Sequence, residues 1–298
     1  MDFITFMQQM INGFSLGSMY ALIAIGYTMV YGVLRLINFA HGDIMMVGAF
    51  LGFFGVAVLG LPFGAAALLS IIGSAFLGIM TDKIAYKPLR QAPKISLLIT
   101  AIGISFFLEN AFTVFLGGVP RAFPVPDYME QIISVSGLTF SVASLIVPIV
   151  TLGLLAGILY VLFKTKYGMA IRALAFDVNT VNLMGIDANK IISIVFGIGS
   201  ALAAVGGIFW ALNYPTVEPM MGVLIGLKAF AAAVVGGIGS VSGAVVGGFI
   251  IGFTEVVVIA FWPELGGYKD AFAFVFLILV LLFKPTGILG YDFEKARF

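Results

Sequence analysis

Few side chains in this sequence can do chemistry, and their grouping limits what that chemistry is. His41 is the only histidine and lies in Asn38-Phe-Ala-His41-Gly42-Asp43, the most polar cluster beside the first apolar runs. An imidazole next to a carboxylate suits general acid–base work, but a hydrolase also needs an activated nucleophile. No serine is placed by pattern in the strand-to-helix elbow that such a nucleophile uses. Asn38 and Asp43 precede an apolar run, where Asn or Asp serves as a helix N-cap, so capping is favoured over chemistry. Glu109, Lys228 and Glu255 lie in or near apolar stretches. Ionisable groups there are costly, so each is a functional candidate. Lys228 stands close to the end of a short run, where its ammonium can snorkel to the interface. Glu109 and Glu255 can pair with it, tie helices together or face a water-filled path; the sequence leaves these open. With no cysteine and one histidine, thiolate and multi-histidine metal sites are excluded. A phosphate-cradling loop needs Gly-x-x-x-x-Gly-Lys-Ser/Thr, and the chain has no Gly-Lys pair. Any ATP hydrolysis must therefore be done by another polypeptide.

The elements that hold these groups are set by composition. Of 298 residues, 15 are Lys or Arg and 14 are Asp or Glu, 10% in all, where a soluble domain carries about 25%. Hydrophobic residues make up 61% and the mean hydropathy is +1.16. A soluble fold could not cover that much apolar side chain. A cytosolic enzyme, a nucleic-acid binder and a disordered protein are excluded, leaving an all-α polytopic membrane protein. Net charge is +1, so no global field steers charged partners. Apolar stretches at 12–34, 44–59, 64–80, 95–116, 141–163, 191–212, 223–238, 243–261 and 271–283 predict eight or nine passes. The second and seventh are short and bear glycine, as broken or half-spanning helices do. The first basic residue is Arg35, so no basic front of a cleavable signal peptide is present.

Basic residues set orientation. Eleven of the 15 fall in three stretches: 82–94, 164–190 and the C-terminal tail with Lys284, Lys295 and Arg297. These are expected to face the cytoplasm, with 117–140, 213–222 and 262–270 outside. Nine passes then place the N-terminus outside and the C-terminus inside.

Two glycine patterns bear on packing. Gly239, Gly243 and Gly247 fall four apart, as on one face of a helix, a spacing that lets backbones approach in lipid. Gly236-Gly237 followed by Gly239 reads as a break between two helices, tolerable at membrane depth only if buried in protein or lining a cavity. Helix packing and a translocation path are both consistent with it. A weak echo links 60–65 to 239–244 and 48–50 to 228–230, an offset of about 180 residues. It fits two inverted repeats with broken helices, or chance in a glycine-rich chain. Pro148 predicts a kink.

The segment 168–186 is different in character. Ile171, Leu174, Val178 and Val181 form one stripe at helical spacing, and Gly185 suits the position just past a helix end. A short amphipathic cytoplasmic helix follows, either flat on the membrane or docked in a groove of a soluble partner.

Several long runs together resemble one family. Asn12-Gly13…Leu16-Gly17-Ser18…Tyr20-Ala21-Leu22…Gly26-Tyr27-Thr28-Met29-Val30-Tyr31-Gly32 leads into Ile37-Asn38-Phe39-Ala40-His41-Gly42-Asp43. Lys228-Ala229-Phe230…Ala232-Ala233-Val234-Val235-Gly236-Gly237-Ile238-Gly239-Ser240 and Lys284-Pro285-Thr286-Gly287-Ile288-Leu289-Gly290 follow. Over nearly its whole length the chain resembles the LivH-type permeases of branched-chain amino acid ABC importers. The resemblance implies a single permease domain over 1–298 and no cofactor in this chain, ATP and Mg being bound by partner ATPases. It implies a second, LivM-like permease subunit, two cytoplasmic ABC ATPases, a periplasmic amino-acid-binding protein, and a bacterial inner membrane. The segment at 168–186 then resembles the coupling helix, matching at Arg172, Ala173, Asp177, Leu183, Met184, Gly185 and Ile186, and departing at Phe176 and Val181. Path candidates are Asn38, His41, Gly42, Asp43, Lys228, Gly236, Gly237, Gly239 and Glu255. Related permeases handle urea or short amides. A stand-alone secondary transporter using Glu109 or Glu255, and an intramembrane hydrolase using His41, are the competing classes.

Overall fold

The structure is a computed structural model that describes residues 3–290. Lys295 and Arg297 of the basic tail lie outside the described residues. The helices are α1 (Phe3–Leu34), α2 (His41–Ala57), α3 (Phe63–Thr81), α4 (Lys94–Leu116), α5 (Asp127–Glu130) and α6 (Val142–Lys164). They continue as α7 (Lys166–Phe176), α8 (Val178–Leu183), α9 (Ala188–Asn213), α10 (Met221–Gly236), α11 (Val241–Phe261) and α12 (Lys269–Phe283). Four short strands occupy the connections: β1 (Arg121–Ala122), β2 (Ile132–Val135), β3 (Leu138–Ser141) and β4 (Thr216–Val217). β2 and β3 form an antiparallel hairpin, and β1 pairs antiparallel with β4 through Arg121↔Val217. The stretch 117–140 is therefore partly ordered as sheet rather than a plain loop.

Among the described residues, seven helical spans are long and apolar enough to cross a membrane, two of them counted with adjoining turns as Phe63–Leu89 and Pro263–Phe283, and the shorter apolar helices α2 and α10 complete nine segments. At 17 and 16 residues these two reach about 25 Å, short of the ~30 Å hydrocarbon core. α1, at 32 residues, is about 48 Å long and exceeds it. Local chemistry sets several helix starts. Ser141, Thr165, Asp187 and Ser240 each cap α6, α7, α9 and α11 through a side-chain oxygen that accepts a first-turn N–H.

α1 is the centre of the bundle: 89% of its most apolar window is buried, against 6% for α12. The packing repeats. α1 packs on α11, α10 and α9, while α9 packs on α3, α2 and α1; α2 joins α3 as α10 joins α11, and α2 touches α10. Exchanging α1, α2, α3 for α9, α10, α11 maps this set of contacts onto itself. α1 and α9 run antiparallel: Tyr20 meets Trp210 at 6.0 Å, and further along α1 Gly26 meets Gly199. Two units related this way are inverted, and their packing favours the repeat over chance for the sequence echo.

Some expectations need correction. The 82–94 stretch is largely helical: α3 continues as a π-helix at Asp82–Tyr86 and a 3-10 turn at Lys87–Leu89. Burial draws it inward, because the Tyr86 hydroxyl donates to Asn38 Oδ1 at 2.8 Å and the Ser193 hydroxyl donates to Asp82 Oδ2 at 2.6 Å. The 262–270 connection contains a 3-10 helix, Pro263–Tyr268. Gly239 does not share a helix face with Gly243 and Gly247. It lies in the turn before α11 at φ +96°, a backbone conformation natural to glycine.

Candidate functional site

The two short helices, α2 and α10, cross at their first turns, and glycine makes that crossing possible. A Cβ on Gly42 would lie 2.9 Å from Gly226 Cα, and one on Gly222 would lie 2.6 Å from the Gly42 carbonyl oxygen. Backbone meets backbone there, so nothing can yield to a side chain. The polar cluster of 38–43 surrounds this crossing. Asn38, His41 and Asp43 are all buried, at 1–2% exposure.

None of the three caps α2. Its N-cap is Ala40, with no side-chain hydrogen bond. Asn38 is occupied by Tyr86 from α3's extension, and Asp43 Oδ2 accepts from the Ser105 hydroxyl of α4. His41 lies edge-on to Tyr27, ring centroids 4.6 Å apart. The capping expectation fails because partners from distant helices outcompete the local N–H groups. The nucleophile pattern is likewise not in the place a hydrolase needs. Ser15 sits in the string Gly13-Phe14-Ser15-Leu16-Gly17, but that string lies inside α1 and not at a strand-to-helix turn.

A second polar centre joins α1, α10, α11 and α12. Lys228 is 3% exposed and stands in the middle of α10, so its ammonium does not reach a helix end or snorkel. It donates to Glu255 Oε1 at 3.0 Å and Oε2 at 3.1 Å, and also pairs with Asp270. The Tyr20 hydroxyl donates to Glu255 Oε2 at 2.9 Å, and Lys269 lies 3.6 Å from Oε1. The buried Lys228 and Glu255 thus balance one another inside the bundle, with the more exposed Lys269 and Asp270 at its edge, the condition for keeping charge at low dielectric. Glu109 takes no part. It accepts from Ser105 at 3.2 Å, beside Asp43. Tyr20, Lys269 and Asp270 were not singled out from sequence. Asp270 carried a faint signal, an acid at the head of the last apolar run; Tyr20 carried none.

The glycine break at 236–239 is buried by chain rather than lining an open space. Ile288 N–H donates to the Val235 carbonyl at 3.0 Å and Leu289 N–H to the Gly236 carbonyl at 2.8 Å. Gly237, at φ +117°, would place a Cβ against Gly290. Gly243 packs on Gly236, and Gly248 and Gly252 let α11 lie on Ala21 and Gly17 of α1. Gly236 and Gly237 are thus packing positions.

The 168–186 segment is two helices, not one. The backbone is extended at Asp177 (φ −155°, ψ 114°), which separates α7 from α8. The apolar stripe does not await a partner: Ile171, Leu174 and Val181 are buried in this chain's own core, and Val178 is 38% exposed. Arg172 stacks over Phe163 at 5.0 Å, Ala173 is half-buried, and an Arg35 N–H donates to the Ala175 carbonyl at 3.0 Å. What projects is the end of α8, with Leu183 88% and Met184 74% exposed. Gly185 follows at φ +80°, its N–H donating to the Asn182 carbonyl at 3.1 Å, while Ile186 turns half inward.

Comparison with known proteins places this architecture. The family described as branched-chain amino acid transport system / permease component matches residues 9–281. The chain is 41% identical to the high-affinity branched-chain amino acid transport system permease protein BraD of Pseudomonas aeruginosa, covering 96% of each. It is 40% identical to LivH of Escherichia coli K12, covering 97% of each. A solved structure, PsaBC from Streptococcus pneumoniae in complex with Fab, matches 93% of this chain and 92% of its own with TM-score 0.50 and 16% identity, a likeness of fold. The match over 9–281 and the identity to BraD and LivH over nearly their whole lengths show that the chain belongs to the branched-chain amino acid transport system permease component family.

Proposed function

We propose that this chain is the membrane-spanning permease subunit of an ATP-powered importer that carries branched aliphatic amino acids. The observation that carries the reading is the family match over 9–281, joined to 41% identity with BraD across 96% of both chains. A LivM-like permease, two cytoplasmic ATPases that bind ATP and Mg, and an amino-acid-binding protein complete the importer, in a bacterial inner membrane with the N-terminus outside. The α7–α8 unit is the coupling element. Its body is anchored in the bundle, and the exposed Leu183–Met184 tip is what an ATPase groove grips. ATP-driven closure of the ATPases pushes on that tip. The bundle rocks about the glycine contacts, and the path opens alternately to the two sides.

The test is reconstitution of the complete importer in liposomes with ATP inside and binding protein outside. Leucine uptake that stops without ATP, and no uptake by the purified chain alone, is the expected result. Uptake by this chain alone under an ion gradient, or uptake of urea in place of leucine, would overturn the reading.

A further inference from the structure

Where α1 begins and α9 ends, the bundle holds a cavity of about 240 Å³ whose lining is neither lipid-like nor ionic. Asn12, Ser15, Asn213 and Tyr214 are among its polar lining residues, and Leu16, Met19, Val256 and Ile259 supply its hydrocarbon. Ser15 is 4% exposed, and its hydroxyl has no hydrogen-bond partner in the protein. A buried hydroxyl without a partner costs stability, and a polar group entering beside Ser15 would relieve that cost. The adjoining cavity of about 420 Å³ is lined almost wholly by hydrocarbon, including Phe14, Pro148 and Phe253, and has little to hold a polar headgroup.

We infer that the smaller cavity is a transient subsite for the transported amino acid, an inference that rests on the function proposed above. Amides and hydroxyls both donate and accept, so the lining serves an ammonium and a carboxylate at once without a fixed charge. The aliphatic wall takes a branched side chain. Neutral groups hold a zwitterion weakly, and a conduit requires sites favourable enough to enter and weak enough to leave. Burial, and secondarily the Glu255 carboxylate, push the Tyr214 hydroxyl above its ordinary value and keep it a neutral donor.

The experiment uses the complete importer in lipid bilayers with three readouts. Val256→Phe shrinks the aliphatic wall and is expected to lower the ratio of leucine to valine uptake about tenfold, as loss of room for one methylene does. Ser15→Ala, which removes a hydroxyl that nothing in the protein satisfies, is expected to lower leucine uptake about threefold while assembly with the ATPases is unchanged. A diazirine-bearing leucine, irradiated during turnover, is expected to label Leu16, Met19, Val256 or Ile259. Unchanged uptake and ratio in both variants, or labelling confined to other residues while the wild-type importer carries leucine, overturns the subsite. A wild-type importer that does not carry leucine overturns the functional reading instead, and the substrate assigned here falls with it.

Discussion

Replacing Lys228 with methionine tests the charge centre directly. The substitution keeps length and apolar stem but leaves the Glu255 carboxylate, 5% exposed, without the two hydrogen bonds at 3.0 and 3.1 Å. Removing one partner of a buried pair costs about 3–5 kcal/mol. Glu255 retains the Tyr20 hydroxyl at 2.9 Å and the more exposed Lys269 at 3.6 Å, and Asp270, 32% exposed, can turn to water. Those survivors set the cost at the lower end, about 3 kcal/mol. For a chain of this size that corresponds to a fall in Tm of roughly 5 °C. Trp210, whose ring lies 6.0 Å from Tyr20, is a built-in fluorescence reporter for thermal unfolding in detergent. Adding Glu255→Gln to Lys228→Met is expected to return at least about 1.5 kcal/mol, because the orphan charge is then gone. A Lys228→Met protein melting within about 1 °C of wild type, or a double variant less stable than the single one, would refute the reasoning.

Three further outcomes follow from the geometry. Gly42→Ala drives a Cβ into the backbone of Gly222 and Gly226 and is expected to abolish folded yield, whereas Gly64→Ala, with nothing within 4 Å, is expected to leave it unchanged; size-exclusion profiles in detergent decide. Leu183→Asp with Met184→Asp is expected to change the melting temperature little, since exposed sites alter stability by within about 0.5 kcal/mol, yet to lose co-purification with the ATPases. Gly185→Ala meets open space but a left-handed backbone at φ +80°, so a penalty of about 1–2 kcal/mol should fray the end of α8, visible as faster amide exchange at 182–186.

The shortness of α2 and α10 was legible because apolar run length is a direct readout of span, and the runs at 44–59 and 223–238 were visibly short. The break after Gly236 was legible because paired glycines signal it. What covers the break was not, since the hydrogen bonds come from Ile288 and Leu289, some 50 residues away in sequence. The stripe of Ile171, Leu174 and Val181 showed which face is apolar, but periodicity cannot say whether the protein's own core or a partner buries it. Asp177, just before α8, is a residue type that starts helices, but with neither proline nor glycine beside it the unbroken apolar stripe outweighed that mark. Asn38 and Asp43 misled for the same reason: a good cap by type is overridden when a tyrosine 48 residues on, or a serine 62 residues on, offers a better bond.

The segment at 284–290 has a consequence for synthesis. It completes the hydrogen bonding of the α10–α11 turn and packs glycine on glycine there, yet it leaves the ribosome after both helices and after α12. Until then the carbonyls of Val235 and Gly236 lack these partners at a site where dry, unpaired backbone is expensive. The hairpin at the heart of the second repeat is therefore finished only when the last described residues arrive. Nascent chains stopped after α12 should carry an unsealed hairpin, a feature by which membrane quality control can tell a partial permease from a whole one.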